Sequence, residues 1–224
     1  MFARVVRTFV AIAMLLSAHA SRAAESLTDD EKSAGFVSLF DGKSLDGWIG
    51  DTDGYAVEEG SIVCIRDRGG NLFTKNEYAD FVLRFEFKLE PGANNGLGIR
   101  APTDQGDVAY TGMELQILDD GHESYKDIRP YQAHGSVYGI VPAKRGFLKP
   151  TGEWNEQEVT CVGRKIKVVL NGETIVDADL DEATKDGTLD HRDHPGVKRT
   201  TGHIGFLGHG ARVEFRNIRV KEVK

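Results

Sequence analysis

Phe81-Val82-Leu83-Arg84-Phe85-Glu86-Phe87-Lys88-Leu89 decides the class of fold. Phe81, Leu83, Phe85, Phe87 and Leu89 recur at every second position, with Val82, Arg84, Glu86 and Lys88 between them. A strand turns successive side chains to opposite faces, so this run predicts one buried face and one wet face. The pattern extends outward. In Lys165 to Leu170, Ile166, Val168 and Leu170 share a face; Asn171-Gly172 then forms a two-residue hairpin turn into Glu173-Thr174-Ile175-Val176. Near the C-terminus Val213 and Phe215 hold one parity and Ile218 and Val220 the other. That phase break predicts a bulge at Arg216-Asn217 or a strand that changes neighbours.

Glycine is abundant at 26 residues and proline scarce at 6, and the glycines separate short β-rich runs. Such spacing predicts an all-β sandwich or barrel. Helical periodicity is nearly absent. Thr28-Asp29-Asp30-Glu31 is a capping box that opens a short helix before Gly35, and a second short turn is expected near Leu180 to Lys185. Thr184 to Arg199 is the most polar stretch and reads as one long surface loop.

The first residues read as an export leader. Arg4 and Arg7 precede an apolar stretch from Phe9 to Leu16, and Ser17-Ala18-His19-Ala20 resembles a cleavage site, with a cut expected after Ala20 or Ala23. The apolar stretch is shorter than the roughly 20 residues a bilayer crossing requires. No Cys follows it, so a lipid anchor on a thiol is not indicated. The expected organisation is a leader over 1–20, a lead-in with a short helix over 21–34 and one domain over 35–224, in a periplasmic or secreted protein.

The net charge is −7, from 28 Lys and Arg against 35 Asp and Glu, and loss of Arg4 and Arg7 makes the remainder more acidic. Nucleic acid and anionic membranes need a basic face, so neither is an expected partner. The sequence does not specify an oligomeric state. Cys64 and Cys161 are the only cysteines. An oxidising compartment permits a disulfide between them, but both lie in strand-like runs where a thiol also serves as a small buried hydrophobe.

The informative region is Asn94 to Tyr138. In Asn94-Asn95-Gly96-Leu97-Gly98-Ile99-Arg100, Leu97 and Ile99 share one face, and Asn94, Gly96, Gly98 and Arg100 the other. Glycine inside a strand often marks close approach of a ligand. In Gly112 to Asp119, Met113, Leu115 and Ile117 face the core, opposite Glu114 and Gln116; in Gly135 to Gly139, read as a third strand, Ser136 and Tyr138 lie opposite Val137. As neighbours in one sheet, these strands would pool Arg100, Glu114, Gln116, Ser136 and Tyr138, with Arg84 and Glu86 alongside. Such a floor suits a sugar, whose hydroxyls need planar polar partners and whose ring face needs an aromatic. An ordinary solvated face with an Arg100–Glu114 ion pair is the competing reading. Glu86 and Glu114 are carboxylates that could do acid–base work. Glu114-Leu115-Gln116-Ile117-Leu118-Asp119 departs from the Glu-x-Asp-x-x-Glu strand of sandwich-fold retaining glucanases, because Gln116 replaces the middle carboxylate.

Among the histidines, His134 precedes the Gly135 segment, and His209 stands in Gly208-His209-Gly210, where a tight turn can present it to a cleft. Asp190-His191-Arg192-Asp193-His194 has the residue types of a metal site, but in a polar loop the pattern reads as solvated, and no metal is assigned. No Cys–His pair, phosphate-cradling glycine loop or Gly-x-Ser-x-Gly elbow is present. No cofactor is expected.

Eight short motifs in order carry a resemblance. They are Gly35 to Trp48 (GFVSLFDGKSLDGW), Asp80 to Phe87, Asn94 to Arg100, Gly112 to Asp119, Gly135 to Tyr138, Trp154-Asn155, Leu170-Asn171-Gly172 and Gly210 to Ile218. Together they resemble the 3-keto-disaccharide hydrolase family over nearly the whole chain after the leader. The resemblance implies a concanavalin A-like jelly-roll sandwich of two antiparallel sheets and an enzyme acting on small carbohydrates, namely glycosides oxidised at C3. For removal of a C2 proton beside that ketone, the polar floor and the glycine-flanked turn offer Glu114 or His209 as base, Arg100 as donor to the enolate and Tyr138 as acid or donor. Gln116, Asp119, Glu86 and Asn95 would bind substrate, and Trp154 would stack on it or seal the cleft; Trp48 reads as structural. Family members usually carry Gln at the position of Leu207. A non-catalytic carbohydrate-binding module is the alternative, because the same sandwich serves both.

Overall fold

The computed structural model describes residues 27–104 and 106–224; the expected leader lies outside the described residues. In chain order the strands are β1 (Val37–Ser38), β2 (Trp48–Gly50), β3 (Tyr55–Glu58), β4 (Ser61–Cys64), β5 (Gly70–Tyr78), β6 (Phe81–Leu89) and β7 (Asn94–Ala101). They continue with β8 (Met113–Leu118), β9 (Trp154–Val162), β10 (Lys165–Leu170), β11 (Glu173–Asp179), β12 (Gly202–Gly208) and β13 (Val213–Glu222). Three short helices, α1 (Asp29–Ser33), α2 (Val108–Thr111) and α3 (Leu180–Thr184), complete the regular structure, together with single 3-10 turns. All strand pairing is antiparallel. One sheet has eight strands, in the order β11-β10-β9-β6-β13-β4-β3 with β1 on β13; the other has five, in the order β2-β5-β12-β7-β8. This is the expected all-β sandwich.

β6 lies between β9 and β13, and its alternating residues are buried as the pattern predicts. Slipping it by one residue would turn all five apolar side chains to water. At about 1.5–3 kcal/mol for each such side chain, that costs on the order of 10 kcal/mol and pins the register. Phe85 packs on Phe206 and Phe215, whose rings stack 3.7 Å apart and join the two sheets. Leu97, Ile99, Met113, Leu115 and Ile117 close the core from the five-stranded side. Trp48 stacks on Phe206 and donates its indole N–H to Leu39 O, a structural role as expected.

The hairpin and the phase break form as the sequence predicts. Asn171 and Gly172 take φ of 50° and 90°, the left-handed values that such a turn demands. The β13–β6 register shifts between Arg216 and Arg219, with Asn217 at φ 51°, so both Phe215 and Ile218 point inward. The Thr28–Glu31 capping box is present and α3 occupies the expected second turn. Cys64 and Cys161 are free buried thiols, and burial pushes Cys161 up to about 11.

One expectation is refined and one corrected. The stretch from Thr184 to Arg199 is the expected long surface loop, but it ends in a 3-10 turn at Pro195–Lys198 and buries His194, Gly196 and Val197. Gly196 lies against the backbone of Thr111 and Gly112, so close that a Cβ would sit 2.0 Å from Gly112 O. Gly135 to Gly139 is not a full strand. It pairs with β8 through Gln116 N–H to Ser136 O and Tyr138 N–H to Glu114 O, then turns back with Val141 N–H donating to Val137 O.

Candidate active site

The outer face of β7 and β8 carries the floor of a cleft of ≈ 210 Å³. Glu114 and Gln116 rise from β8, and Asn94 from the start of β7. Glu114 folds back over β7, where a Cβ on Gly96 would lie 1.9 Å from its Oε1. The absent side chain at position 96 therefore makes room for the carboxylate itself. Glu114 is 6% exposed, and its Oε1 is buried without a hydrogen-bond partner. A buried charged oxygen left this way is costly unless a ligand or a nearby charge compensates it. Gln116 donates from Nε2 to Asn94 Oδ1 at 2.8 Å. The room over Gly98 is filled by Val108 and Leu207, so that end of the face is apolar.

Three further segments line the cleft. Asp107 accepts from Ala109 N–H and caps α2, which presents Ala109 and Tyr110. Behind them Tyr110 packs on His194 and carries the Arg192 guanidinium over its ring, and His194 in turn pairs with Asp190 at 3.0 Å. Tyr125, Ile128 and Gln132 come from the connection after β8, and Tyr138 from the segment that pairs with it. His209 comes from the β12–β13 turn. Its neighbour Gly208 lies so close to Cys64 and Gly69 that a Cβ there would approach within 2.8 Å of either, and Gly210 takes a φ of 81°.

His209 Nε2 stands 3.9 Å from Glu114 Oε1, within ion-pair range but beyond a hydrogen bond. The imidazole is 51% exposed and the carboxylate 7%. Glu114 raises the His209 pKa above its ordinary 6.5; partial burial opposes the rise and Asp107 adds to it. Tyr138 Oη accepts from Gln132 Nε2 at 3.2 Å, and Gln132 Oε1 accepts from Arg129 N–H at 2.9 Å.

Residues 35–221 match the profile of the 3-keto-alpha-glucoside-1,2-lyase-like domain. The chain belongs to that family. It is 28% identical to a 3-keto-disaccharide hydrolase of Bacteroides thetaiotaomicron, over 84% of this chain and 78% of the relative. Two crystal structures of candidate glycosyl hydrolases from Parabacteroides distasonis superpose on it. One has a TM-score of 0.78 at 26% identity, covering 90% of this chain and 100% of the other. The second has a TM-score of 0.73 at 29% identity, covering 84% and 99%. Family and relatives together support a glycoside-cleaving function.

Within this lyase-like domain the cleft gathers Glu114, Gln116, Tyr138 and His209 of the residues the sequence singled out. Arg100 is a correction. The β12–β7 register jumps from His203↔Ala101 to Gly205↔Gly98, and Arg100 takes a φ of 47° inside this bulge. The bulge reverses the parity, so Ala101 joins the outer face and Arg100 does not. Arg100 is 1% exposed and donates to Ala79 O, Gly163 O, Arg199 O and Asp80 Oδ1, tying connections at one end of the sandwich.

Other residues that the sequence singled out fall outside the cleft. Asn95 faces the core and is fully buried, because parity gives the outer face to Asn94. Glu86 lies on the eight-stranded sheet, bound by Arg216 and Asn217, with Arg84 paired to Glu158 on the same outer face. Trp154 belongs to that far face too, between Lys88 and Arg216, and neither seals the cleft nor anchors the core. Asp119 accepts from Gly92 N–H at 2.8 Å and braces the β6–β7 turn. Ser136, expected on the floor, instead donates to Pro130 O and accepts from Ala143 N–H. Leu207 packs beside Val108 and is not a lining side chain. The polar and aromatic lining residues not anticipated are Asp107, Tyr110, Tyr125 and Gln132. Only Asp107 carried a local signal, as a helix cap before Val108-Ala109-Tyr110.

Proposed function

We propose that this chain cleaves 3-keto-glycosides by taking the proton from C2 and expelling the group on C1. The observation that carries the reading is Glu114, buried with an unpartnered oxygen, facing His209 across a cleft that Tyr138 also lines. A ketone at C3 acidifies the C2 proton, which the Glu114 carboxylate accepts. The C2–H electron pair moves toward C3 and charges the ketone oxygen. His209, whose raised pKa favours its cationic form, stabilises that enolate in the role the sequence had given to Arg100. The enolate then collapses to a C1=C2 double bond, and the C1–O pair leaves on the glycosidic oxygen with the Tyr138 proton. Addition of water to C1 returns a proton to Tyr138 and the Glu114 proton to C2, giving net hydrolysis. Gln116 and Asn94 bind hydroxyls.

Incubation of the purified chain with 3-keto-trehalose or a 3-keto-glucoside should release sugar or aglycone, and Glu114→Gln should stop it. Binding without turnover in the unsubstituted chain makes it a carbohydrate-binding module; neither binding nor turnover ends the reading. The leader pattern supports export to the periplasm or medium, which N-terminal sequencing of the mature protein tests by finding residue 21 or 24 first.

A further inference from the structure

Resting on the reading above, we propose that Gln132 is a positioning residue that sets the direction of the Tyr138 hydroxyl, so that the phenol proton points into the cleft. The hydrogen bonds leave one solution. Arg129 N–H can only donate, so the Gln132 atom facing it at 2.9 Å is the amide oxygen. The other amide atom is then nitrogen, which can only donate, and it lies 3.2 Å from Tyr138 Oη. Tyr138 accepts in that contact, and its own hydrogen points elsewhere. The Tyr131 ring stands edge-on to Tyr138 at 6.1 Å and 81°. Gln132 and Tyr138 both line the cleft, which is where the remaining hydrogen finds a ligand acceptor.

The arrangement serves both halves of the reaction. As the C1–O bond breaks, its electron pair goes to the leaving oxygen, which takes the Tyr138 proton. The phenolate left behind receives the Gln132 N–H, a stronger hydrogen bond once its acceptor is charged. Water returns the proton as its oxygen bonds to C1, so no further reactant is needed. Gln132 acts only through Tyr138. Its backbone sits in the 3-10 turn at Pro130–Gln132, which the same amide oxygen caps.

Comparison of Gln132→Glu with Gln132→Ala tests the polarity. Glutamate keeps an acceptor for Arg129 N–H and so keeps the turn, but it offers Tyr138 a second acceptor and draws the phenol proton away from the cleft. On 3-keto-glucosides, Gln132→Glu should lower kcat about tenfold more than Gln132→Ala, with KM changed about twofold or less. The loss should be larger for an alkyl leaving group than for a nitrophenyl one, which needs little protonation. On a Tyr138→Phe background the two substitutions should become equivalent. Equal activity of Gln132→Glu and Gln132→Ala in an otherwise active enzyme overturns the proposal alone, as does a difference that survives Tyr138→Phe. A wild-type chain that turns over no 3-keto-glycoside overturns the functional reading, and this proposal with it.

Discussion

The backbone N–H of Tyr138 donates to the carbonyl oxygen of Glu114 at 2.9 Å. The proposed acid therefore hangs from the backbone of the proposed base, and both side chains line one cleft. Their spacing is set by a ladder hydrogen bond rather than by a flexible loop, the kind of rigid placement that proton transfer needs.

Glu114→Gln is isosteric over Gly96, so the fold should survive. If the carboxylate is the base, kcat should fall about 10²–10⁴-fold. Thermal melting should match the wild type within a few degrees. Retained turnover would move the base to His209.

Gly96→Ala tests the close fit. The added methyl lies 1.9 Å from Glu114 Oε1, and the carboxylate end is what must yield. We expect activity to drop with a smaller effect on melting temperature, because the clash is confined to the Glu114 side chain. Wild-type kcat in this variant would show that the observed carboxylate position is not needed.

His209 should titrate above pH 6.5, because Glu114 favours its charged form. Activity that needs the cation then falls as pH rises through that raised value. Glu114→Gln should move the imidazole back toward 6.5 in an NMR titration. The stability that His209 contributes has the same sign: present in full below its unfolded pKa and lost as pH climbs past the folded one. An NMR midpoint at or below 6.5 in the wild type would remove the cation from the mechanism.

His134 contributes to the acid side of stability. Leu118 N–H donates to its Nδ1, the ring stacks on Phe87, and Nε2 meets Gln157 Oε1, so the ring is a buried neutral tautomer. Burial pushes its pKa down to about 4. The unfolded chain takes up this proton first, so stability should decline as pH falls from about 6.5 toward 4. His134→Asn should flatten that part of the pH–stability curve while lowering stability at neutral pH. Urea unfolding at stepped pH checks both, and an unchanged slope would sink the assignment.

Arg100→Met should damage the fold rather than the chemistry. It strips partners from three backbone carbonyls and from Asp80, at a cost of about 3 kcal/mol or more. Activity per folded molecule, measured well below the melting temperature, should stay near wild type. A large selective loss of kcat would return Arg100 to the site.

Alternation alone decided much of this protein. It assigned the buried and wet faces of β6 and β10, placed the hairpin at Asn171-Gly172 and the phase break at Arg216-Asn217, and put Glu114 and Gln116 on the face that becomes the floor. These features are local, because side-chain direction follows from the backbone within a few residues. Parity names a face, however, and not a sheet. Glu86 and Glu114 read alike in sequence, yet long-range pairing puts them on different sheets of the sandwich. Arg100 was lost to one inserted residue, since the bulge beside Gly202 reverses the count. Gln132, Tyr110 and Tyr125 reach the cleft on non-strand segments whose course depends on contacts distant in sequence, such as Arg192 on Tyr110. Faces come from the geometry of a single strand; the meeting of Glu114, Tyr138 and His209 comes from which strands pair.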